Sequence, residues 1–180
     1  MATSVSDFTE HFPLVTKYIK PSEIDAFLQY VKVIKVDQGE VIIHDGEPSS
    51  TLYFVRDGTL FTYIEENGEI IEIGAIKPGE YTGEISFFDK GLATASVKAI
   101  EPCVLFTLSR KDFDELEKNL PAVSSNLMRS ISNLIISRTL VTGSLLFDDL
   151  SKLDDDSPNT AEVTNLSDWL VSIYGTLHKH

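Results

Sequence analysis

Between Val31 and Leu108 the chain alternates short apolar runs with glycine-marked turns, whereas on either side its apolar residues recur at helical spacing. Residues 5–31 carry Phe8, Phe12, Leu14, Val15 and Ile19 on what the spacing predicts to be a helix face. Pro21 opens a second short helix with Ile24, Phe27, Leu28 and Val31 on one side. The period then changes. Val31, Val33, Ile34 and Val36 precede the turn Asp37-Gln38-Gly39-Glu40, and Val41-Ile42-Ile43 follows it. Further strand-like runs are Leu52–Val55, Leu60–Ile64, Glu69–Ile73, Ala95–Ala99 and Val104–Leu108. Asp45-Gly46, Asp57-Gly58, Asn67-Gly68 and Pro78-Gly79 punctuate them. Asn-Gly between two alternating runs is a strong hairpin signal, because both central residues of a type I′ turn need positive φ. Short strands at such spacing, with no helices between them, predict an all-β barrel or jelly roll and exclude a parallel α/β sheet.

Helical character returns after Leu108. Ser109 is placed to cap a helix from Arg110 to Lys118, with Asp112 as an acidic variant of the capping box. Pro121 starts the next helix, where its missing N–H costs nothing. That helix, about 122–146, carries Val123, Leu127, Ile131, Leu134, Ile135 and Val141. The seam is more apolar than packing on one small barrel requires, which predicts a homodimer through 122–146. Gly143 is expected to weaken or end the helix. Residues 148–163, with Asp148, Asp149, Asp154, Asp155, Asp156 and Glu162, read as an acidic linker. Residues 164–180 are amphipathic, with Leu166, Trp169, Leu170, Ile173, Tyr174 and Leu177 on one face. This segment either folds back on the barrel or a dimer, or docks on a protein partner.

Composition narrows the function. With 28 acids against 15 bases in 180 residues and a net charge of −13, most of the surface repels a phosphate backbone. Lys and Arg occur singly or in loose pairs, so no nucleic-acid partner is expected. Cys103 is the only cysteine, which excludes an internal disulfide and suits a small core residue. Met1–Glu10 has neither a basic start nor an apolar run, and no segment approaches the roughly 18–20 apolar residues of a membrane span. The expectation is a cytoplasmic protein without membrane contact.

Four ordered motifs carry a resemblance. Val36-Asp37-Gln38-Gly39-Glu40-Val41-Ile42 is the first; Gly46-Glu47 with Leu52-Tyr53-Phe54-Val55-Arg56-Asp57-Gly58 is the second. The third is Ile76-Lys77-Pro78-Gly79-Glu80-Tyr81-Thr82-Gly83-Glu84, and the fourth runs from Gly83 through a short helix to Ala93-Thr94-Ala95-Ser96-Val97. Over residues 5–147 this resembles the cyclic-nucleotide-binding domain family. The resemblance implies a fold that is mainly β with flanking helices: a double-stranded β-helix (jelly roll) followed by a long C-terminal helix.

The same resemblance implies a phosphate-binding cassette with one residue missing. Gly83 lets the backbone come close, Glu84 takes the ribose 2′-hydroxyl, and the N–H groups of Ile85 and Ser86 open the short helix. The family's arginine belongs nine residues after Glu84, and Ala93 stands there. Thr94 follows, with a hydroxyl and N–H for the phosphate, and then Ala95. An arginine supplies a bidentate, charge-assisted contact to phosphate worth roughly 1.5–3 kcal/mol or more. Its loss predicts cyclic-nucleotide affinity lower by roughly ten- to a thousandfold. Lys90 is a phosphate substitute of poorer geometry, or simply a solvated loop lysine. Glu84 has a structural alternative as well, capping the helix that begins beside it.

Other chemistries find no residue set. His11, His44, His178 and His180 are scattered, unlike the clustered ligands of a metal-binding jelly roll, so no metal is expected. No nucleophile–base spacing or Walker-type loop appears, and no enzyme is expected. In the family's transcription regulators the long helix leads into a basic helix-turn-helix domain; here acidic residues follow Phe147, so that module is not expected. The expected function is a non-catalytic regulatory or interaction module with a degenerate cassette. The alternative is a working receptor for cyclic AMP or cyclic GMP using a non-standard phosphate site; no cofactor other than such a nucleotide is implied.

Overall fold

A computed structural model describes residues 5–89 and 91–152, with side chains over 7–89 and 91–136. Two four-stranded antiparallel sheets form the roll. One takes β1 (Lys32–Val36), β8 (Cys103–Ser109), β3 (Thr51–Asp57) and β6 (Tyr81–Thr82), in that order. The other takes β2 (Val41–Ile43), β7 (Ser96–Ala99), β4 (Leu60–Glu66) and β5 (Glu69–Ile76). The Asn67-Gly68 turn has φ of 55° and 81°, which the tight β4–β5 hairpin demands. β6 escapes the periodicity because two residues carry no alternation. β5 runs on past the expected Ile73 to Ile76, with a bulge where Thr62 pairs Gly74 but Tyr63 pairs Glu72.

Strand alternation divides each sheet into two faces. The faces turned toward each other bury Val36, Val55, Cys103 and Leu105 from one sheet with Ile43, Leu60, Val97 and Ala99 from the other. Cys103 is a buried core residue, as its neighbourhood predicts, and burial pushes its thiol pKa up. The opposite face of the first sheet presents Phe54 and Phe106 to the N-terminal helices. There α1 (Val5–His11) inserts Phe8, whose ring centroid lies 5.0 to 5.6 Å from those of Phe12, Phe27, Phe54 and Phe106. Tilted and edge-on aromatic contacts of this kind add to area burial. Arg56 Nε donates to Asp7 Oδ1 at 3.0 Å and ties the same helix to β3.

The helical lead-in is not continuous. Phe12, at φ −125° and ψ 56°, breaks it, and α2 (Pro13–Thr16) restarts with a new phase. Leu14 consequently faces solvent, 57% exposed, while Val15 goes inward. α3 (Pro21–Leu28) follows with Ile24, Phe27 and Leu28 buried, as expected.

After β8, α5 (Arg110–Asn119) begins at the predicted cap: Asp112 N–H donates to Ser109 Oγ at 3.1 Å. The acid does not reach back to the Ser109 backbone, as it would in a capping box. Its Oδ2 accepts instead from the Ser109 hydroxyl at 2.6 Å and from Lys32 Nζ at 2.7 Å. α6 (Pro121–Lys152) buries Val123, Leu127 and Ile131. It passes through Gly143 and is described as far as Lys152, so it enters the segment read as linker. One glycine costs about 1 kcal/mol, too little to end a helix whose neighbours favour it. The chain divides into two units after Asn133, and the second consists, within the described residues, of the continuation of α6. Lys90, the remainder of the 148–163 segment, and the 164–180 segment with Trp169 lie outside the described residues. No described helix is long and apolar enough to cross a membrane.

Candidate functional site

The cassette begins where β6 meets the first sheet. Phe54 pairs Tyr81 and Tyr53 pairs Thr82, which delivers Gly83 against the carbonyl of Thr51. Gly83 has φ +87°, and a Cβ there would sit 2.4 Å from Thr51 O. Both facts require glycine. Its own carbonyl accepts from Phe87 N–H at 3.1 Å, starting α4 (Glu84–Asp89). Within α4, Ser86 and Phe87 are buried, Glu84 is half-buried, and Ile85 is 56% exposed.

The far wall is stitched to a distant loop. Ala93 N–H donates to Glu47 O and Gly46 N–H to Ala93 O, both at 2.9 Å, while Asp45 N–H reaches Ser96 Oγ at 3.0 Å. This pairing turns the Ala93 methyl inward. It is 7% exposed and belongs to the buried cluster shared by the two sheets. Ile43 of that cluster comes within 3.5 Å of the Cβ position at Gly83, so the two halves of the cassette meet the same core. Ala95 is half-buried, and Thr94 faces solvent.

Gly83, Glu84, Ser86, Ala93 and Ala95 are therefore covered or partly covered, while Ile85 and Thr94 lie on the outside of the turn. Lys98, the one cation among the described residues of 83–99, points away from the interior. Its Nζ stands 4.9 Å from the Tyr63 ring centroid and 5.9 Å from that of Phe61 on the outer face of the second sheet. Arg110 lies against α4 but is committed elsewhere. Its guanidinium covers Phe87 at 5.6 Å and Phe113 at 5.2 Å, and its Nε donates to Asp114 Oδ1 at 2.9 Å. Among the described residues no group of His, Cys, Asp and Glu has the arrangement to hold a metal ion.

Two contributors were not singled out from sequence. Tyr53, on the inner face of β3, packs against the buried cluster, and its hydroxyl lies 3.4 Å from Ile42 O. Burial raises its pKa, so the phenol remains protonated and neutral near neutral pH. Tyr81 sends its hydroxyl to Ile131 O at 3.4 Å, linking the cassette's approach strand to α6. The signal for Tyr53 was the Thr51-Leu52-Tyr53-Phe54 alternation, which puts Thr51 and Tyr53 on one face; choosing that face needs the sheet pairing.

The chain thus forms an antiparallel roll that carries a glycine-entered short helix at one strand end. Residues 33–119 match the family described as cyclic nucleotide-binding domain. A cyclic AMP receptor protein of Thermus thermophilus is 30% identical over 132 residues, which span 73% of this chain and 61% of that protein. The crystal structure of a Thermus thermophilus catabolite activator protein superposes with a TM-score of 0.62 and 30% identity, over 77% of this chain and 63% of the other. A cyclic nucleotide-binding domain from Methylobacillus flagellatus shares the fold with a TM-score of 0.70 at 20% identity, over 85% and 88% of the two chains. The β-roll belongs to the cyclic nucleotide-binding domain family, in its catabolite-activator-like form. The chain spans 61% of the length of its Thermus relative.

Proposed function

We propose that this chain is a non-catalytic regulatory module whose cassette no longer serves as a phosphate site. The observation that carries the reading is the buried Ala93 methyl where the family resemblance calls for an arginine. A cyclic phosphodiester entering here exchanges its hydration for a site with no inward cation among the described residues of 83–99, beside the half-buried carboxylate of Glu84. Burying an anion without a fixed counter-charge is unfavourable by several kcal/mol. Gly83 and Glu84 then serve the backbone, one by its close approach to Thr51 and the other at the start of α4.

In this reading the output is protein–protein contact: a homodimer through the 122–146 helix and a protein partner at the Trp169 segment. Met128 and Ile136 support the dimer, being apolar and 38% and 56% exposed on α6. Neither nucleic acid nor membrane is a partner, and the module works in the cytoplasm.

The test is to restore the arginine. Because the Ala93 side chain points into the roll, Ala93→Arg is expected to raise cyclic AMP affinity by at least about tenfold in a calorimetric titration. Unchanged affinity in a folded Ala93→Arg protein would contradict the role given to this position. Tight binding by the wild type that is lost in Lys90→Ala would favour the alternative, a receptor with a displaced phosphate site.

A further inference from the structure

The two outer faces of the roll are finished differently. That of the first sheet lies under the N-terminal helices, with Phe54 and Phe106 against Phe8. On the second sheet the register places Lys98, Phe61 and Ala75 in one outer row, on β7, β4 and β5. Tyr63 beside Glu72 forms the next row, and Glu65 beside Ile70 the one after. Phe61 and Tyr63 are only half-buried, Ala75 is exposed, and Ile70 is 55% exposed. Aromatic and aliphatic side chains thus line a face that solvent reaches.

Charge on this face is sorted by strand. Lys98 stands on β7, its ammonium over the Tyr63 and Phe61 rings. Glu72 stands on β5, with β4 between them, and Glu65 lies toward the far end of β4. None of the three forms an ion pair with a described residue, whereas Lys32, Arg56 and Arg110 each meet an aspartate. A cation and an anion on opposite sides of an aromatic strand do not meet within one copy. They meet in pairs when the face is turned over onto itself.

We propose that the outer face of the second sheet packs on the same face of a second copy. A twofold axis along β4 lays β7 of one copy over β5 of the other. Lys98 then lies over the partner's Ala75, whose small side chain leaves room, and reaches the partner's Glu72 in the next row. Symmetry repeats the contact, as in any isologous interface. Phe61 and Tyr63 meet the same pair of rings from the other copy, which places aromatics at the centre and charge at the rim. Sheets packed face to face stand about 10 Å apart, a gap that a lysine and a glutamate span together. A purely acidic partner would satisfy Lys98 but set like charge against Glu65 and Glu72; a second copy supplies both signs. The net charge of −13 on each chain opposes the approach, so this association is weak and appears above the micromolar range. The inference is independent of what the cassette binds.

The experiment is sedimentation equilibrium of the full chain carrying Met128→Glu and Ile136→Glu, followed from micromolar to millimolar concentration. A reversible rise toward twice the low-concentration mass is expected, whether that starting species is one chain or the α6 dimer. Lys98→Glu and Glu72→Lys are each expected to weaken the association at least about tenfold, since each acts twice across the axis. The two together are expected to restore it. Lys98→Glu makes the chain more acidic and Glu72→Lys less so. A general charge effect would therefore move the two variants in opposite directions, while the proposed contact moves them in the same one. Glu72→Lys, at an exposed position, carries the test alone if Lys98→Glu fails to fold. Constant mass up to millimolar concentration would overturn the proposal. So would stronger association in Glu72→Lys, or a double variant no better than the single ones.

Discussion

Gly83 and Gly46 both have positive φ, yet substituting them has different consequences. At Gly46 nothing lies within 4 Å of an added Cβ, so Gly46→Ala meets only the backbone preference, about 1 kcal/mol. At Gly83 the same methyl adds a 2.4 Å encounter with Thr51 O, a main-chain atom that a side-chain rotation cannot move. Gly83→Ala is expected to destabilise by about 2–3 kcal/mol or more, read as a fall in urea midpoint well beyond that of Gly46→Ala. Equal midpoints would mean that the cassette entrance is not held against β3. Ala93 shows what residue-level reading misses. Its place in the cassette is legible from the spacing to Glu84, but its inward turn comes from hydrogen bonds to Gly46 and Glu47, far away in sequence. Leu14 failed for a related reason: the Phe12 break shifts the helical phase, and periodicity alone assumes the phase is kept.

At the scale of elements, the strongest local chemistry was the most legible. Ser109 capping α5, the Asn67-Gly68 hairpin and Pro21 opening α3 each rest on residues a few positions apart. β6 and the end of α6 do not, because a two-residue strand and a helix crossing Gly143 depend on what surrounds them. The Ser109 cap is expected to contribute about 1 kcal/mol, so Ser109→Ala lowers stability by about that amount in chemical denaturation. Asp112 adds a pH dependence. Burial pushes its carboxyl pKa up, but the hydrogen bonds from Lys32 and Ser109 outweigh this and hold it below the ordinary value. Its contribution is therefore complete above the unfolded-state pKa and disappears as pH falls through the folded one. Asp112→Asn is expected to reduce the loss of stability on acidification, modestly because Lys32 is solvent-exposed. An identical acid limb in the variant would remove Asp112 from the account.

The whole molecule combines a family fold with a cassette in which Ala93 stands where the family resemblance calls for an arginine. The order of helices, strands and turns made the roll legible from sequence, since alternation and glycine turns act locally. The row Lys32, Thr107, Tyr53 and Thr82 was not, because it appears only when β1, β8, β3 and β6 are aligned in register. The proposed dimer is tested by mass. Light scattering at micromolar concentration is expected to give twice the 20.0 kDa chain, with Met128→Glu and Ile136→Glu together shifting it toward the monomer. A monomeric wild type would contradict the dimer. The central claim, that the cassette without its arginine is not a cyclic-nucleotide site, is met most directly by calorimetric titration of the wild-type chain with cyclic AMP and cyclic GMP to millimolar concentration. The account predicts no saturable binding in the micromolar range for either nucleotide. Stoichiometric micromolar binding of either one would contradict it.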